Sequence, residues 1–142
     1  MANVIVPVRA GAYTYNETRD CTVRALANSA GLLYGNAHNI LRQHGRKDKR
    51  GCTHYVWHDA YLSNGMSLVG VYGTTHGARS LAKRISVVAQ DGITLGRLLP
   101  KLKDGSYIVI ITRHALAVVD GGVVDMNLNR INSRVVAVYK HS

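Results

Sequence analysis

Hydrophobic positions along this chain recur with two different periods. Val23, Leu26, Ala27 and Ala30 fall at helical spacing, the pattern of one buried helix face. Asp20 precedes them as an N-cap and Gly31 follows as a stop, which predicts a helix over residues 21–30. A second helix is expected over 36–44, ended by Gly45, and a third, short one after a Thr53 cap, ending near Asn64 and Gly65. Beyond that point the period shortens. Residues 68–72 and 85–89 read as strands, and Thr94 as the cap of a short helix that ends before residue 103. Residues 106–112, 114–119, 123 to about 128, and 134–139 are rich in Val and Ile and predict four more strands. Helices first and an antiparallel sheet second indicate one α+β domain over residues 1–142.

The Asp120-Gly121-Gly122 segment is a hairpin-turn signal. A two-residue turn, either Asp120-Gly121 or Gly121-Gly122, pairs odd positions of the second strand with even positions of the first. His114, Leu116, Val118, Val123, Asp125 and Asn127 then share one face. Ala115, Ala117, Val119, Val124, Met126 and Leu128 share the other, a wholly apolar face suited to the core.

Composition narrows the class. Apolar residues make up 46% of the 142, too many for a disordered chain. There is no Phe, so Val, Ile, Leu and Ala must fill the core. No apolar run reaches the roughly 18 residues of a membrane span. The apolar stretch from Val4 to Val8 lacks the basic lead and length of a secretory signal. A cytoplasmic protein without membrane contact is expected, and its two cysteines, Cys21 and Cys52, read as free thiols.

The formal charge of +10 is large. Basic residues cluster at Arg42, Arg46, Lys47, Lys49 and Arg50, and again at Arg79, Lys83, Arg84, Arg97, Lys101 and Lys103. Such a surface can hold polyanions without sequence preference, or simply be a solvated face. Only Tyr55 and Trp57 supply base-stacking aromatics near the first cluster.

Two positions carry candidate chemistry. A Cys at the first turn of a helix meets free N–H groups and the helix dipole, which favour a thiolate; equally, a free Cys is often a small buried apolar residue. His114 opens a strand, with Asp125 or Asn127 brought beside it by the hairpin to accept a ring N–H and fix the tautomer. Without Cys21, those two would read as ordinary polar residues on a solvated sheet face. Cys52, His54 and His58 fall short of a four-ligand metal set, so no metal or cofactor is expected. The glycine-rich stretches 70–73 and 74–77 match no phosphate-binding motif, His76 reads as a surface-loop residue, and His38 and His44 need no special role.

These residues resemble a family. The run Asp20-Cys21-Thr22-Val23-Arg24-Ala25-Leu26-Ala27 is similar to the nucleophile helix of small papain-like cysteine peptidases of bacteriophages and bacteria. The run from His114 through Asp120-Gly121 to Asp125 is similar to that group's histidine hairpin, in the order of C39-type peptidases. The resemblance implies a papain-like fold, with N-terminal helices packed on a C-terminal antiparallel sheet. It implies a Cys21–His114–Asp125 triad, with Asn127 as the alternative third member, acting on a protein or peptide substrate. Papain-like enzymes carry a Gln before the nucleophile to complete the oxyanion hole. Here Asn16 is the side-chain amide in that stretch, in an oxyanion role or simply making a turn. The expected function is peptide or isopeptide hydrolysis through a thioester. The alternative is a basic, non-enzymatic binding protein on the same scaffold, a phage-type inhibitor or a binder of nucleic acid or a host protein.

Overall fold

The computed structural model describes residues 4–5, 20–47, 54–124 and 131–141. A two-residue strand, β1 (Val4–Ile5), precedes three helices: α1 (Cys21–Ala30), α2 (Tyr34–Gln43) and α3 (His54–Leu62). Strand β2 (Met66–Val71), helix α4 (His76–Ile85) and the short α5 (Leu95–Leu98) follow, with α5 running into a 3-10 turn at Leu99–Lys101. The chain ends in β3 (Ser106–Ile111), β4 (His114–Val119), β5 (Gly122–Val124) and β6 (Val135–His141). The six strands form one sheet in the order β1-β5-β4-β3-β6-β2. Neighbours are antiparallel except β1, which runs parallel to β5. Helices and an antiparallel sheet thus make the α+β arrangement that the two hydrophobic periods predict.

Helix α1 is the centre of the molecule. Its residues Val23 and Leu26 are fully buried, and even Thr22, Arg24 and Ser29 are nearly so. The helix packs against β4 on one side and α2 on another. Ala25 and Ala27 of α1 share a buried cluster with Ala115 and Ala137 of the sheet. Small side chains on both surfaces let the helix approach the strands closely. Gly31, left-handed at φ +68, ends it and returns its N–H to the Ala27 carbonyl.

The sheet is covered on both faces. On β3, Ile108 and Ile110 point to the main core under α1, α2 and α3. Alternate residues Tyr107, Val109 and Ile111 join a second core with Leu95, Leu98 and Leu102. Leu116, Val118 and Val123 belong to that second core, so most of the face shared with His114 is buried. The short α5 segment supplies the cover that periodicity alone did not reveal.

Two elements differ from the sequence reading. Residues 76–85 form α4, and 85–89 form no strand. Thr75 caps the helix, its Oγ1 accepting the Ala78 N–H at 3.3 Å, and buried Ala78, Leu81 and Ala82 give it a core-facing stripe. His76 is therefore the first residue of a helix, exposed but not in a loop. Helix α2 begins at Tyr34, two residues early, because Tyr34 is drawn into the core by the Asp20 contact described below. No described helix is long and apolar enough to cross a membrane.

Candidate active site

Asp20 stands at the N-cap position of α1, yet its side chain caps nothing. One carboxylate oxygen accepts the Arg24 Nε–H at 3.0 Å and the other accepts the Tyr34 hydroxyl at 2.8 Å. Asp20 is fully buried and Arg24 nearly so. The expected cap is thus replaced by a buried ion pair one helical turn long, and the helix start is fixed by its tertiary partners. The first backbone bond of the helix runs from Arg24 N–H to the Asp20 carbonyl at 2.9 Å. The Cys21 N–H lies before that ladder begins and is placed to donate to a ligand.

Cys21 opens α1 and is half-buried. His114 opens β4, also half-buried, immediately after the two-residue turn that pairs Ile111 with His114. Although about two-thirds of the chain lies between them in sequence, the two side chains share a hydrogen bond, and the Ala115 backbone N–H also donates to the sulfur. Burial pushes the Cys21 thiol up. The His114 hydrogen bond, the Ala115 N–H and the positive charges of His114 and Arg24 outweigh it, and the net effect is a lowered pKa. Such a thiol holds more thiolate at neutral pH than an ordinary one.

A cavity of about 240 Å³ opens beside this pair. Trp57, Ile110 and Val136 give it apolar walls, Thr22 and Gly77 part of its lining, and Arg113 lies at its His114 side. Val136 enters through a bulge in β6. Ile110 pairs with Ala137 and Ile111 with Val135, so Val136 is the extra residue that the register skips. Trp57 is held edge-on against Tyr139, with ring centroids 6.0 Å apart. Tyr139 in turn lies 2.6 Å from His58 Nδ1, and burial, with the Asp59 charge added, pushes the Tyr139 phenol well above its ordinary pKa.

The remaining sequence candidates divide. Asp125, Asn127 and Asn16 lie outside the described residues, as do Cys52 and the side chain of His54. The hairpin that leads toward Asp125 turns at Asp120-Gly121, with Val119 opposite Gly122 and Val118 opposite Val123. His58 is turned into the core against Tyr139. Among the described residues, no three His, Cys, Asp or Glu side chains gather closely enough to hold a metal ion. His38 is buried in the core and not on a basic face, and Arg46 is buried too, which removes it from the basic surface. Trp57 is a cavity wall and so is not free to stack on a base.

Sequence reasoning missed Arg24, Tyr34, Ala115 and Arg113. The i,i+4 spacing of Asp20 and Arg24 was a readable signal; the other three had none, since only the fold brings them to Cys21. No protein-family model, curated protein or solved structure matches the chain.

Proposed function

We propose that this protein is a papain-like cysteine hydrolase that cleaves a peptide or isopeptide bond. One observation carries the reading: a half-buried Cys at a helix N-terminus, hydrogen-bonded to a His on the facing strand, beside an open cavity. His114 takes the Cys21 proton, giving a thiolate–imidazolium pair. The thiolate attacks the carbonyl carbon, and the oxyanion that forms meets the Cys21 N–H, with Asn16 as the side-chain donor. His114 then protonates the leaving amine as the C–N bond breaks, leaving a thioester. Water attacks the thioester while His114 accepts its proton, releasing a carboxylate and the free thiol. Asp125, or Asn127 in its place, holds the imidazole throughout. Deamidation and acyl transfer would use the same groups. A reducing compartment, the cytoplasm of the cell or of a phage host, suits a catalytic thiol.

Alkylation by iodoacetamide across pH tests this. Because its folded pKa is lowered, Cys21 should keep reacting as pH falls below the range where an ordinary thiol, with pKa about 8.5, has lost its thiolate. Its rate should decline only as pH drops through that lowered value. Cys21→Ala should abolish this acid-tolerant labelling, Cys52→Ala should retain it, and His114→Ala should shift it to higher pH. If Cys21 and Cys52 label equally with free-thiol profiles, the hydrolase reading fails and a basic binding protein takes its place.

A further inference from the structure

Arg113 occupies the second position of the Thr112-Arg113 turn between β3 and β4, next to His114. Its backbone is left-handed, φ +60, a conformation that Gly or Asn adopts with less strain. A bulky cation at such a place needs a reason. Its side chain is exposed and lines the cavity beside Cys21. Among the described residues no carboxylate lines that cavity, and Arg113 makes no ion pair or hydrogen bond. The other cation near the nucleophile, Arg24, is already paired with Asp20. Arg113 therefore presents a charge that no described residue matches to whatever enters a largely apolar pocket, on a molecule whose charge of +10 draws anions toward it.

We propose that the substrate is an acidic peptide: an apolar side chain fills the cavity against Trp57, Ile110 and Val136, and an adjacent carboxylate pairs with Arg113. This rests on the hydrolase reading, and it names the specificity residue and the substrate chemistry. The carboxylate belongs either to an acidic side chain or to a chain terminus.

Matched alkylating peptides separate these sources without requiring turnover. The probes are N-iodoacetyl-leucine against its amide, and N-iodoacetyl-leucyl-aspartamide against the corresponding asparagine peptide. Each rate is divided by the same protein's rate with iodoacetamide, so that changes in thiolate population cancel. The wild type should favour the charged member of one pair by about three- to fivefold, the size of an exposed ion pair, and less at high salt. Whichever pair responds identifies the carboxylate. Arg113→Gln should bring that ratio close to one, while Arg113→Lys should preserve most of it. Gly77→Val tests the apolar half: a Cβ at Gly77 meets Val136 at an ordinary 3.9 Å, so the helix has room, but the branches enter the cavity. All leucyl probes should then slow relative to iodoacetamide. A charge ratio near one in the wild type, or one unchanged by Arg113→Gln, overturns the proposal even where iodoacetamide shows the acid-tolerant profile. Loss of that profile itself would instead count against the hydrolase reading.

Discussion

A guanidinium buried beside a nucleophile needs a counter-charge, and Asp20 supplies it. The carboxylate holds Arg24 at 3.0 Å and Tyr34 at 2.8 Å, so three residues from two helices meet at the start of α1. Arg24 thereby stays close enough for its charge to help lower the Cys21 pKa. Asp20→Ala would strip a buried cation of its carboxylate, which typically costs about 3–5 kcal/mol. Tyr34→Phe removes one hydrogen bond and should cost about 1 kcal/mol. Urea denaturation of the two variants measures both. If Asp20→Ala costs no more than Tyr34→Phe, the ion pair is not what secures the helix start.

At the scale of elements, the β4–β5 hairpin and helix α4 make opposite points. The hairpin is local chemistry: Asp120 and Gly121 are both left-handed, φ +48 and +82, as a tight turn between twisted strands requires. Asp120 Oδ1 also accepts the Gly105 N–H at 3.0 Å. Gly121→Ala would keep ordinary contacts, since its Cβ lies 3.6 Å from the Lys103 carbonyl oxygen. It would still force a Cβ into the left-handed region, at a cost of about 1 kcal/mol. Because the turn lies at the far end of β4 from His114, the alkylation profile of Cys21 should not change, and a thermal melt with the labelling assay checks both halves. Helix α4 was less legible. Val87, Val88 and Ala89 favour a strand by composition, yet Val88 is 92% exposed and the segment only bridges Tyr72 through Gln90. The stripe of Ala78, Leu81 and Ala82 that buries itself to form α4 lies ahead of that segment, and the helix ends at Ile85.

For the whole molecule, charge and core follow different logics. Arg42, Lys47, Arg79, Lys83 and Arg84 are exposed, as are Arg97, Lys101 and Lys103, while Arg24 and Arg46 are buried. The surface still carries most of the excess that the sequence displays. Binding to heparin or DNA should follow at low salt and weaken by about tenfold or more at moderate salt, with little sequence preference. Binding that ignores salt would remove the basic surface from the protein's role. The α+β class, the β4–β5 turn and the residue types at Cys21 and His114 were set by the sequence alone, because periodicity, capping and turn geometry act over a few residues. The double-sided core, the bulge that brings Val136 to the cavity, the burial of Arg46 and the Asp20–Arg24–Tyr34 contact were decided only by tertiary structure. So was the meeting of Cys21 with His114, Ala115 and Arg113. Each of these joins positions with no local relation, and the packing of α1 against β4 is what brings them within reach of one sulfur atom.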